Sequence, residues 1–128
     1  MNSNAKLQEQ NQSVDELHDL IIDSIHDIKG KEILKLDLRQ LEESPTDYFI
    51  ICEGTSNTQV KSIADNIQKR LKLEANIFPS HVEGTQRASW VCLDYFHTVI
   101  HVFYTETRGF YQLENLWSDA SFTEYQAL

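Results

Sequence analysis

The residue types that could do chemistry concentrate between Trp90 and Ala120. There Asp94 and His101 stand in two apolar runs, WVCLD and VIHVFY, whose own residues offer them no partner. With Ser56 they would make a Ser-His-Asp set for acyl transfer. Ser56 has no nucleophile-elbow context, so the set carries little weight. His97 and His101 are four residues apart. On a helix that spacing shares a face. On a strand, at about 3.3 Å per residue, it separates the rings by about 13 Å, too far to hold one metal ion jointly. His101, between Ile100 and Val102, therefore reads first as a satisfied strand histidine.

Gly54-Thr55-Ser56 sits between a predicted strand and a helix N-terminus. Free backbone amides there could take an anion. Phosphate loops carry more glycines and often a lysine, and neither is present. A tight turn with an N-cap is the simpler reading. Strand, Gly-Thr-Ser and helix together also resemble the nucleotidyltransferase fold, whose enzymes hold two metals on carboxylates alternating along a neighbouring strand. Here Asp94 stands alone: its neighbours at two-residue spacing are Cys92 and Phe96. The second metal ligand is missing, which argues against two-metal chemistry. No catalytic residue, cofactor or metal site is expected.

Period-two alternation puts Trp90, Cys92 and Asp94 on one face of their strand and Val91 and Leu93 on the other. Val91 and Leu93 are the expected core. Trp90 beside polar groups, with Tyr111 and Trp117 close in sequence, suits an interface anchor. The competing reading is that both tryptophans fill core. Cys52 and Cys92 lie inside apolar runs and read as small buried hydrophobes, not as a disulfide or a zinc site.

The elements that position these residues follow from patterning. The 128 residues, 41% hydrophobic and 24% charged, suit one globular domain. Residues 1–12 are polar, without the apolar centre of a secretory signal, and read as a disordered tail. A capping box at Ser13 and Glu16 opens an amphipathic helix that should stop at Gly30. Residues 32–38 alternate as a half-buried strand, and 48–52 form a continuous apolar run, as in a central strand covered on both faces. Ser56 and Gln59 form a second capping box, and a helix should follow over 57–73. A short strand is expected from Ile77-Phe78, then a hairpin of strands 90–94 and 99–104. Phe110, Leu113 and Trp117 should share one face of a closing helix. Residues 121–128 read as a loose tail. The fold class is α/β, a mixed five-stranded sheet flanked by helices, with a single domain over 13–120.

The chain carries 20 acidic and 11 basic residues, a net charge of −9. That opposes broad contact with a phosphate backbone and favours a basic partner, with solubility alone as the competing reading. No apolar stretch approaches the roughly 20 residues needed to span a bilayer. A cytoplasmic protein without membrane contact is expected.

Several stretches carry a family resemblance: TDYFIICEGTSNTQVKSIADNI at 46–67, VEGTQRAS leading into Trp90, and Asp94 to Ala120 with HVF, RGFYQLENLW and SDA. A weaker match is KGKEILKLDL at 29–38. In this order they are similar to the Iojap family, the ribosomal silencing factors. The resemblance implies binding to the large ribosomal subunit through its protein fourteen, at the face where the small subunit docks. Joining would be blocked and translation repressed when nutrients are scarce. It also implies a nucleotidyltransferase-like sheet without the catalytic carboxylates, and frequent homodimers. Trp90, Asp94, His101, Tyr111, Glu114 and Trp117 match family positions. The expected partner-binding surface is these six, anchored by Trp90, together with Phe96. Phe96-His97 stands where the family usually has Gly-Asp, and Gly109 replaces a usual charged residue. Two alternatives remain from the residues themselves: a divergent nucleotidyltransferase-like enzyme using Ser56 and Asp94, and a generic dimeric adaptor.

Overall fold

The computed structural model describes residues 3–126. Helix α1 is Ser3–Asp27, β1 Lys31–Asp37, β2 Tyr48–Gly54 and α2 Asn57–Arg70. β3 is His81–Glu83, β4 Trp90–Asp94, β5 Thr98–Tyr104, α3 Thr105–Tyr111 and β6 Ser121–Tyr125. A π-helical turn, Leu71–Ala75, extends α2, and a 3-10 turn, Leu113–Trp117, follows α3. The strands form one mixed sheet in the order β3-β4-β5-β2-β1-β6. β2 and β5 are parallel, and every other neighbouring pair is antiparallel.

β2 takes the centre because its run is apolar at every position from Tyr48 to Cys52, all five buried. Its two faces supply two cores. On one, Ile50 and Cys52 meet Val91, Leu93, Ile100 and Val102 under Ile21 and Ile25 of α1 and Val60, Ile63, Ala64 and Ile67 of α2. On the other, Phe49 and Ile51 pack with Leu36, Leu38 and Phe103. The half-buried Trp90, Leu113 and Trp117 close over this second, smaller core.

The expected α1 and α2 stripes are present, with caps that differ in detail. Ser56 accepts a hydrogen bond from the Gln59 amide at 3.0 Å. Gln59 does not return the bond to Ser56. Its Oε1 accepts from the Thr55 amide at 2.7 Å, and its Nε2 donates to the Ile28 carbonyl at 3.0 Å, tying α2 to the end of α1. α1 does end near Gly30, but the left-handed residue is Lys29, with φ 60°. The Gly30 amide returns to the Ile25 carbonyl at 3.0 Å. Gly30 itself answers a close approach: a Cβ there would press into the Ile25 side chain and onto Ile63.

Four expectations need correction. α1 is helical from Ser3, so Ser13 lies within the helix and is not its N-cap. Ala5, Lys6, Leu7, Gln8 and Glu9 are good helix formers, and extending a packed helix costs far less than nucleating one. Residues 121–125 are β6, not a loose tail, which raises the strand count from five to six. β6 pairs with the otherwise open edge of β1, Phe122 opposite Leu36 and Tyr125 opposite Ile33. The short strand near Ile77-Phe78 begins only at His81. The closing helix breaks at Gln112, which is left-handed at φ 47°, so Phe110 leaves the face shared by Leu113 and Trp117. Residues 1, 2, 127 and 128 of the expected tails lie outside the described residues.

Candidate functional site

Strand register assembles the site. β4 and β5 pair Trp90 with Phe103, Cys92 with His101 and Asp94 with Val99. Directly paired residues share a sheet face. Val91 and Leu93 are fully buried beneath the helices, while Trp90, Cys92 and Asp94 are half-buried on the other face. The alternation therefore holds. The Trp90 face is not bare, however, because the second core lies on it.

Trp90 is anchored there from three sides. Its indole stacks on Phe103 at 4.8 Å between ring centres and meets Tyr111 at 5.0 Å. Its Nε1 donates to His101 Nδ1 at 3.0 Å. That bond fixes the His101 tautomer, with the proton on Nε2. His101 stands edge-on to Phe49 at 4.7 Å, and Trp117 meets Phe49 edge-on at 5.9 Å. Trp90, His101, Tyr111 and Trp117 thus belong to one aromatic cluster, with Phe49 and Phe103 as its floor.

This cluster has no base or nucleophile. Burial pushes His101 down to about 4, so the ring is neutral near neutral pH. Its Nε2 is buried with no hydrogen-bond partner among the described residues, so the histidine is satisfied at one nitrogen only. Cys92 Sγ lies 3.4 Å from His101 Nδ1, yet burial, with the Glu83 carboxylate, pushes its thiol up to about 11. Burial pushes the Cys52 thiol up to about 12. Both cysteines are free thiols.

The other expected site residues lie elsewhere. Asp94 sits at the far end of β4 from Trp90, about 13 Å away at about 3.3 Å per residue. Its Oδ1 accepts from the Phe96 amide at 2.9 Å and so holds the hairpin turn. Phe96 adopts φ 70° and is 76% exposed. Phe96 holds this turn at the strain of a bulky residue in the left-handed region. Thr46 Oγ1 steadies it by donating to the Phe96 carbonyl at 2.9 Å.

Glu114 belongs to a third group. Arg108 is 8% exposed, and its Nε faces Glu114 Oε1 at 3.3 Å. Its Nη1 reaches Glu53 Oε1 at 3.2 Å and donates to the Glu32 carbonyl. Arg108 therefore clips the C-terminal segment to β1 and β2. Ser56, Asp94 and His101 bond to Gln59, Phe96 and Trp90 respectively, so the three form no relay.

Sequence reasoning missed three features. Phe110 and Leu116, 81% and 73% exposed, are the most open apolar side chains of the covering segment. Their exposure follows from the Gln112 break, which no glycine announces. Arg108 reads as a solvated charge, since nothing nearby in sequence signals its buried partners. Phe103 was legible, because its parity with His101 assigns it to the Trp90 face.

The sequence matches the family model described as ribosomal silencing factor during starvation over residues 11–128. It is 34% identical over 113 residues to the ribosomal silencing factor RsfS of Halalkalibacterium halodurans, covering 88% of this chain and 95% of the relative. It is 39% identical over 94 residues to RsfS of Bacillus subtilis, covering 73% of this chain and 78% of the relative. A crystal structure of a Chromobacterium violaceum protein superposes with a TM-score of 0.76 at 38% identity, covering 81% of this chain and 85% of that one. The chain belongs to the ribosomal silencing factor family.

Proposed function

We propose that this chain represses translation by binding the large ribosomal subunit through a basic protein of that subunit, large-subunit protein fourteen. Bound there, it occupies the face that receives the small subunit and blocks joining by bulk. The observation that carries the reading is family membership over residues 11–128. Two physical features support it. Trp90, Tyr111 and Trp117 present a partly exposed aromatic surface, held from beneath by the buried His101, the kind of anchor that makes contact without losing much side-chain entropy. A net charge of −9 is complementary to a basic protein and repelled by ribosomal RNA, so little direct RNA contact is proposed.

The reading is non-catalytic, cytoplasmic and compatible with a homodimer. His101 is neutral and enclosed, and Asp94 is committed to its turn. No helix among the described residues is long and apolar enough to cross a membrane. Stopped-flow light scattering of subunit joining tests the proposal. Added chain should slow or abolish the rise in scattering, and raised salt should weaken that effect, mainly through slower association with the large subunit. Unchanged joining at saturating chain would refute it.

A further inference from the structure

A cavity of about 660 Å³ opens where β6 and the start of β1 meet the segment held by Arg108. That is many times the roughly 30 Å³ of one water molecule. Glu32, Glu114 and Glu124 line it, together with Lys31, Arg108 and Phe122. The charges do not cancel within the chain. Arg108 is already shared between Glu53 and Glu114. Glu32 and Glu124 form no ion pair among the described residues, and one Oε of Glu114 is buried without a hydrogen-bond partner. Besides Arg108, Lys31 is the one cation that lines the cavity among the described residues. Phe122, 42% exposed, adds an aromatic surface beside these carboxylates. Register confirms the arrangement: Phe122 and Glu124 pair with Leu36 and Leu34, on the sheet face that also carries Trp90 and His101.

We propose that this cavity receives a basic side chain, arginine or lysine, from the protein on which the chain docks. Its cation would lie against Glu124 and Glu32, and its stem or guanidinium plane over Phe122. The inference rests on the proposed function, and it adds a second contact on the same face, beyond the aromatic cluster. Charge complementarity assigns the occupant, because Glu32 and Glu124, both exposed at the cavity, have no ion-pair partner among the described residues. The segment from Arg108 to Trp117 walls the cavity on one side and covers the aromatic cluster on the other. One partner surface can therefore engage both.

The test measures binding of purified large ribosomal subunits to the wild-type chain, Glu124→Lys, Phe122→Ala and Asp65→Lys at low and raised salt. Asp65 is exposed on α2, across the sheet, and makes the same change in net charge as Glu124→Lys. Glu124→Lys should raise Kd about tenfold or more at low salt and flatten its salt dependence, while Asp65→Lys stays within about twofold. Phe122→Ala should raise Kd about threefold, the loss of one partly desolvated cation–π contact. Thermal midpoints establish that β6 is kept, and Glu124→Gln carries the test if the reversal disturbs the strand. Wild-type binding with Glu124→Lys and Asp65→Lys indistinguishable would overturn the inference and leave the proposed function standing. Absence of wild-type binding would overturn both.

Discussion

The indole nitrogen of Trp90 donates to Nδ1 of His101 at 3.0 Å, across paired strands, inside a half-buried aromatic cluster. The bond fixes the rotamer of the one and the tautomer of the other. It also ties Trp90, the anchor of the proposed docking surface, into the second core. Trp90→Phe keeps the stack on Phe103 and removes the indole donor, leaving Nδ1 of a nearly enclosed ring only the weak Cys92 thiol at 3.4 Å. The expected cost is about 1–3 kcal/mol of stability. Urea denaturation midpoints of the two proteins measure it, and an unchanged midpoint would mean that the bond contributes nothing.

Acid should destabilise the protein as its buried histidines protonate. Burial pushes His101 down to about 4. Burial, with the Lys35 ammonium and His97 nearby, pushes His18 down to about 4. His18 is 1% exposed, and its Nε2 lies 2.8 Å from Thr98 Oγ1. Both folded values lie below the unfolded value near 6.5, so the unfolded chain binds more protons between them. The stabilisation is complete above about pH 6.5 and is lost as pH falls toward 4, at about 3 kcal/mol for each ring. Denaturation midpoints should fall between pH 7 and pH 5. His18→Gln should reduce that slope, and a flat profile would count against neutral buried rings.

Phe96 holds a left-handed backbone with an exposed ring, so its side chain stabilises little. Phe96→Gly should raise stability by about 1 kcal/mol through relief of that strain. Asp94→Ala should lower it by a similar amount, since the Phe96 amide loses its acceptor. Differential scanning calorimetry separates the two by the opposite signs of their Tm shifts.

Arg108→Met should be the most damaging single change in the C-terminal segment. It leaves the largely buried carboxylates of Glu53 and Glu114 without their shared cation, at a cost of about 3 kcal/mol or more. Hydrogen exchange should quicken across 105–120 and leave the centre of β2 protected. Uniform loss of protection would mean that the segment does not open by itself.

Patterning reaches the fold where burial is one- or two-sided in a regular way. The unbroken run from Tyr48 to Cys52 marks the central strand, and Val60, Ile63, Ala64 and Ile67 mark the buried stripe of α2. It fails at β6, whose residues Ser121–Glu124 are exposed and which is held by pairing with β1. Within the site, alternation separates Trp90 from Val91. It does not divide the seven expected contact residues into three groups, since that division depends on the Gln112 break and on the buried partners of Arg108. Phe49 was hidden for another reason: in a run that is apolar throughout, neither face stands out.

The proposed repression has two parts: the chain binds the large subunit, and it keeps the small one away. Sedimentation of purified subunits through a sucrose gradient, with and without the chain, measures both parts at once. The chain should travel with the large subunit, and joined ribosomes should give way to free subunits. A chain that stays at the top of the gradient while joined ribosomes persist would contradict it.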